Sequence, residues 1–161
     1  MKLLIVSDTH GRDEGIEQAV EAETPFDMLI HCGDVEGREY YIEALCGTEC
    51  CMIAGNNDFF SDLDRETELY ICGHHILVTH GHSYGVSLDI IGVVEEAEYR
   101  ECDIVLFGHT HKPVITRKHG VLAVNPGSLS YPRQTGRKPS YAVMELKDGC
   151  DPVAEIRYLD T

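Results

Sequence analysis

Leu3-Leu4-Ile5-Val6, followed at once by Ser7-Asp8-Thr9-His10, is the stretch on which the fold turns. Four consecutive apolar residues with no polar alternation predict a strand covered on both faces, which is how strands of parallel sheets read. The break into Asp8 and His10 then places a carboxylate and an imidazole where the strand ends. Working outward, Ile16, Ala19 and Val20 fall at i, i+3 and i+4, the stripe of an amphipathic helix. Met28 to Cys32 is a second strand, a weaker helix follows around Tyr41, Ile42 and Leu45, and Cys51 to Ala54 is a third strand. Short apolar strands separated by helices imply βαβ units with right-handed crossovers.

Beyond residue 65 the pattern changes. Leu69 to Cys72 and Ile76 to Thr79 flank Gly73-His74, which reads as a tight hairpin. Ile90, Val93, Val94 and Ala97 share one helical face, with Ser87 placed to cap that helix. Ile104 to Phe107 is another core strand. Val114 to Thr116, Val121 to Val124, Tyr141 to Leu146 and Val153 to Leu159 read as strands joined by turns at Gly120, Gly136 and Gly149. The expected architecture is α/β: one domain over residues 1–161, with two facing mixed β-sheets flanked by helices.

Composition narrows the function classes. The chain has 161 residues, enough to bury a core without staples. Its net charge of −15 argues against a nucleic-acid-binding surface, which needs Lys and Arg to neutralise phosphates. No apolar run approaches the roughly 20 residues of a membrane span, and Met1-Lys2 runs directly into the first strand with no leader between, so a cytoplasmic location is expected. Seven cysteines, an odd count with no C-x-x-C pair, read as reduced structural thiols, with Cys32, Cys72 and Cys102 in or beside apolar strands.

The chemistry lies where the strands end. Asp8 and His10 follow the first strand, Gly33-Asp34 the second, and Gly55-Asn56-Asn57-Asp58 the third. The strand ending at Thr79 delivers His80-Gly81-His82, and the one ending at Phe107 delivers Gly108-His109-Thr110-His111. Ligands of open α/β sheets gather outside the carboxyl ends of the strands. Mixed imidazole and oxygen donors suit Mn, Fe, Co, Ni or Zn better than Ca or Mg. Two such ions roughly 3.5–4 Å apart form a clamp for in-line attack at phosphorus. Gly33, Gly55, Gly81 and Gly108 each adjoin a candidate ligand, as a sharp turn or a close backbone approach requires.

This set, D-x-H at Asp8 to His10, G-D at Gly33-Asp34, G-N-x-D at Gly55 to Asp58, H-G-H at His80 to His82 and G-H-T-H at Gly108 to His111, resembles the calcineurin-like metallophosphoesterases across essentially the whole chain. The short length, His31-Cys32 and Asn125-Pro126-Gly127-Ser128 look most like their small bacterial and archaeal phosphodiesterase subgroup. The resemblance implies a four-layer α/β/β/α sandwich. It implies two divalent transition-metal ions, Mn first, with Ni, Co, Fe or Zn as alternatives. One would be held by Asp8, His10 and His111, the other by Asn56, His80 and His109, with Asp34 bridging. A metal-bound hydroxide would attack a small phosphodiester. Larger members have a leaving-group histidine in the third place of G-N-H-D; this chain has Asn57, which can hydrogen-bond a phosphate oxygen but cannot protonate a leaving group. Either activated, low-pKa leaving groups are then favoured, or His82 helps instead.

Several residues have blander readings. Asp58 is expected to orient its loop rather than to touch a metal, and His31 to be a satisfied core or edge histidine. His74, His75 and His119 lie in expected turns and read as solvated. Arg133, Arg137 and Lys138 form a basic stretch on an acidic chain, expected as a mobile surface loop, with a substrate-phosphate clamp as the alternative. A homo-oligomer paired through the Leu69–Thr79 hairpin edge is a further possibility. The competing function is a non-catalytic metal- or phosphate-binding scaffold on the same fold, a path taken by the retromer subunit that resembles these enzymes. Its metal motifs are eroded; here all seven ligand positions are filled. A protein phosphatase fits less well, given Asn57 and the short chain.

Overall fold

The computed structural model describes residues 1–160. Strand β1 (Lys2–Val6) pairs in parallel with β2 (Met28–His31), and β2 with β3 (Glu49–Met52); α1 (Glu14–Glu23) and α2 (Glu39–Cys46) make the crossovers. After β3 come β4 (Glu66–Ile71), β5 (His74–Thr79), a 3₁₀ turn at His82–Tyr84, α3 (Ile91–Tyr99) and β6 (Ile104–Leu106). Four strands close the chain: β7 (Val114–Lys118), β8 (Val121–Asn125), β9 (Ser140–Glu145) and β10 (Val153–Tyr158). One mixed sheet runs β10-β9-β1-β2-β3, the other β4-β5-β6-β8-β7.

The alternation along β1 shows how these elements stack. Leu3 and Ile5 pack between the sheets, against Ile76, Val78, Ile104, Leu106 and Val124 of the second sheet. Leu4 and Val6 face the other way, onto Ile16, Ala19 and Val20 of α1 and Ile42 of α2. On the far side, Leu77, Val105 and Ala123 meet Val93, Val94 and Ala97 of α3. The layers are therefore helix, sheet, sheet, helix, the two facing mixed sheets the sequence predicts. All four apolar residues of β1 are fully buried, and truncating such a side chain to Ala typically costs about 2–5 kcal/mol.

Three local expectations are corrected. The third strand lies at Glu49–Met52, two residues before the predicted Cys51 to Ala54. It is a half-exposed edge strand, so its apolar pattern does not mark its ladder. Ile53 still donates to the His31 carbonyl, but Ala54 donates to Asp64, outside the sheet. The hairpin turn is Cys72-Gly73 rather than Gly73-His74: both have positive φ (50° and 79°), the geometry that matches strand twist in two-residue hairpins. Ser87 does not cap α3, which begins at Ile91; Asp89 Oδ1 accepts the Ile91 N–H instead. All seven cysteines are free, with Cys32 and Cys102 buried. Among the described residues no helix is long and apolar enough to cross a membrane.

Candidate metal centre

Asp8 leaves the end of β1 with φ 54°, in the left-handed region that side chains disfavour. His10, Asp34, His109 and His111 share that conformation (φ 49°, 61°, 71° and 60°). These five of the seven expected ligands make up half of the ten described non-glycine residues with positive φ. Strain of this kind persists where the surroundings over-determine it, characteristically at functional sites. The surroundings here are tight: a Cβ on Gly108 would lie 2.1 Å from Ser7 Oγ and 2.6 Å from Asp8 Oδ2. Gly33, at φ 108°, leaves only 2.5 Å between such a Cβ and His80 Nδ1.

The ligand atoms converge. His111 Nε2 lies 3.1 Å from Asp8 Oδ1, and His10 Nε2 lies 3.2 Å from His111 Nε2. His10 Nε2 is 3.7 Å from both Asp8 Oδ1 and Asp34 Oδ2. His80 Nε2 is 3.3 Å from Asp34 Oδ2 and 3.7 Å from Asp8 Oδ1. Two metal-capable groups result, Asp8/His10/His111 and Asp8/Asp34/His80, which share a carboxylate. Asp34 Oδ2 also lies between His10 and His80, so both carboxylates reach both halves of the centre. Beside them, His109 Nδ1 and Asn56 Oδ1 approach to 3.1 Å.

Supporting contacts set the orientation of each ligand. The Nδ1–H of His80 donates to the Cys32 carbonyl (2.7 Å) and that of His111 to the Tyr131 carbonyl (2.7 Å), turning each Nε2 lone pair toward the centre. Asp8 Oδ2 accepts from Ser7 Oγ (2.5 Å) and the His109 N–H (3.0 Å). Asp58 accepts the N–H groups of Asp34, Val35, Glu36 and Gly55, orienting the loop as expected. Asn57 directs its backbone N–H to Asp34 Oδ1 (2.9 Å) and its side-chain amide to Oδ2 (3.2 Å), so it orients that carboxylate. Glu36 escaped the sequence reading: its Oε2 lies 2.7 Å from His10 Nδ1. An acidic residue two places after Asp34 was the only signal for it.

Buried charge tests which group this donor set fits. Asp8 and Asp34 are buried, and among the described residues their ion-pair partners are histidines only. Burial alone would raise the Asp8 carboxyl, but the facing imidazoles of His10, His111 and His80 hold it well below the usual carboxylate range. Burial likewise opposes charge on His80, yet Asp34 and Asp8 raise its pKa. Asp8 Oδ1 and His80 Nε2 are buried with no hydrogen-bond partner, facing the same space. Unpaired buried groups of this kind are costly. Divalent cations with carboxylate, imidazole and amide donors fit them.

His82 stands at the margin, its ring 5.5 Å from that of His80 and 5.9 Å from that of His109, with a buried, unpartnered Nδ1. Burial and then the neighbouring His80 lower its pKa. His31 is the satisfied core histidine expected: Nδ1 accepts the Gly33 N–H, Nε2–H donates to Thr9 Oγ1, and burial pushes its pKa down to about 4. Asn125 to Ser128 packs beside the centre, with Ser128 Oγ donating to the Asp8 carbonyl and the Gly127 N–H donating to Asn125 Oδ1. His119 is exposed, as expected. His74 and His75 are not solvated. They are half-buried and paired with Asp103 and Glu68, because pairing of β5 with β4 and β6 brings those carboxylates to them.

Residues 1–149 match the calcineurin-like phosphoesterase superfamily domain. The chain belongs to that superfamily. It is 36% identical to the probable metallophosphoesterase YsnB of Bacillus subtilis, over 99% of this chain and 91% of that one. It is 26% identical to the phosphodiesterase YfcE of Escherichia coli, over 90% and 88% of the two chains. Among solved structures, a Vps29 variant from Entamoeba histolytica superposes with a TM-score of 0.79 at 20% identity, covering 99% of this chain and all of the other, a likeness of fold alone.

Proposed function

We propose that this metallophosphoesterase hydrolyses small phosphodiesters at a dinuclear centre. Asp8, His10 and His111 would hold one ion and Asn56, His80 and His109 the other, with Asp34 between them. The observation that carries this reading is the pair of ligand groups sharing a carboxylate, each containing a buried atom without a partner. Donor chemistry favours Mn, Fe, Co, Ni or Zn, with Mn first. Two such cations would supply a nucleophile drawn from water at neutral pH and a Lewis-acid clamp on the phosphoryl oxygens.

The chain's own residues set the geometry. Cys32 O and Tyr131 O fix the tautomers of His80 and His111, and Glu36 orients His10. Asn57 keeps both oxygens of Asp34 in place and leaves protonation of the leaving group to another group, for which His82, beside His80 and His109, is the candidate. Seven free cysteines suit a reducing compartment, and we place the protein in the cytoplasm.

Metal-stripped protein with Mn, Ni, Co, Zn or Mg added back should hydrolyse bis-p-nitrophenyl phosphate, and Asp34→Asn should abolish that turnover. Metal bound at the centre without turnover for any ion would instead support a phosphate-binding scaffold.

A further inference from the structure

Two cavities of opposite character flank the proposed centre and share Glu36 as a wall. On one side a cavity of about 480 Å³ is lined by Tyr40, Phe59 and Phe60 among the carboxylates of Glu39, Glu43 and Asp62, a wall that admits an uncharged group and repels an anion. The three aromatic side chains are 79–103% exposed, which is unusual for residues of this size with no other packing role. On the other side a cavity of about 680 Å³ is lined by His10, His111, Tyr131, Arg133 and Arg137. Basic residues are scarce on this chain, 13 against 28 acidic ones. Arg12, Arg65, Arg117, Arg133 and Arg137 form no ion pair among the described residues, in contrast to Arg38, Arg100 and Arg157, and of those five only Arg133 and Arg137 line this cavity.

These arginines sit on a loop tied to the centre rather than on a free one. The Arg133 N–H donates to the carbonyl of His111, and the Tyr131 N–H to Ser128 Oγ. The Arg137 N–H donates to the Gln134 carbonyl, and Gln134 Nε2 to that of Lys138. Arg137 itself takes a left-handed φ of 46° beside Gly136 at 87°, a turn that directs its side chain back to the cavity. Two guanidinium groups with their donors free, next to ligands of the centre, are a site for an anion.

We propose that the substrate is an asymmetric phosphodiester whose one arm carries a second anionic group, a phosphate or a carboxylate, seated on Arg133 and Arg137, while the other arm lies toward Tyr40 and Phe59. This rests on the phosphodiesterase reading above and adds the substrate class to it. The anionic arm is argued from the two arginines that line one cavity, and the uncharged arm from the aromatic side chains set among carboxylates in the other.

The test uses two esters with one leaving group, p-nitrophenyl 2-carboxyethyl phosphate and its near-isostere p-nitrophenyl 3-methylbutyl phosphate. Full-length, metal-loaded protein should prefer the carboxylate by about tenfold in kcat/KM, a charge-assisted contact discounted for exposure. The preference should shrink with added salt. Arg133→Gln/Arg137→Gln should bring the ratio to about one, and the corresponding lysine pair should keep part of it, since charge survives but the fork does not. A wild-type ratio near one overturns the proposal. So does an equal loss on both esters, which would mean that the arginines hold the reacting phosphoryl group. Calorimetric binding of 2-carboxyethyl phosphate against 3-methylbutyl phosphate reads the same pocket without turnover. An arginine-dependent preference in binding, with no hydrolysis of any diester, would uphold the anion pocket while ending the phosphodiesterase reading. No preference in binding or turnover ends the anion pocket.

Discussion

Strand β5 carries histidines at both ends, and the two ends of this one strand behave differently. At its start, His74 places Nδ1 2.5 Å from Asp103 Oδ2 and Nε2 3.0 Å from the Cys150 carbonyl. His75 faces Glu68 (2.6 Å) and the Glu101 carbonyl (3.2 Å), and its ring stacks on Tyr70. With Cys102 and Glu68, His75 even forms a group whose spacing would admit a metal. Every ring nitrogen there already has a partner, and Glu68 is also paired with Arg100. Just past the other end, His80 keeps a buried Nε2 with none. Proximity of imidazole and carboxylate is thus common to both ends. What separates a metal centre from a surface network is buried capacity left unspent.

The comparison can be broken most directly through metal content. His80→Ala should remove at least one bound ion per chain and lower turnover by more than the about 10–100-fold typical of losing a supporting partner. His75→Ala should leave the metal content, measured by elemental analysis, at the wild-type value. Equal losses, or a third ion lost with His75, would erase the distinction. A smaller effect is expected of Glu36→Gln, which frees His10 without removing a ligand. Metal affinity in competition with a chelator should weaken about 10–100-fold, with turnover largely restored at saturating metal. Unchanged affinity would show that the contact between Glu36 and His10 orients nothing.

The smallest effect belongs to the satisfied end. The hydrogen bond to Asp103 raises the His74 pKa above its ordinary 6.5. A group raised on folding contributes stability that is fully present below the unfolded value and lost as pH rises through the folded one. His74→Gln should therefore cost on the order of 0.5 kcal/mol in denaturant unfolding near pH 6, and progressively less above neutrality. A cost that grew with pH would reverse the assignment.

What the sequence made legible follows from burial. Leu3 to Val6 is covered on both faces, so its run of apolar residues names the strand at sight. Glu49 to Met52 is covered on neither completely, and its place two residues earlier than expected comes from a backbone ladder with β2 that side chains do not encode. The same division holds at the centre. Asp8, Asp34, His80 and His109 can be read because each follows a strand that the hydrophobic pattern ends. Glu36 meets His10, and Cys32 and Tyr131 meet His80 and His111, through loop conformations and backbone carbonyls. The two carbonyls leave no trace in residue type, and Glu36 leaves only its acidity two places after Asp34. His74 and His75 look like turn residues until the pairing of β5 with β6 brings Asp103 alongside.

The proposed ligands divide between the layers: Asp8, His10, Asp34 and Asn56 leave strands of the first sheet, His80, His109 and His111 strands of the second. Cations bound among them would then act as a clasp across the sandwich as well as a reaction centre. Because the unfolded chain cannot assemble seven donors from two sheets, occupancy and folding are one linked equilibrium, worth about 2.7 kcal/mol at a hundredfold excess over the dissociation constant. Metal starvation would loosen the seam between the sheets along with the chemistry, and the supply of ions would set how long the protein survives.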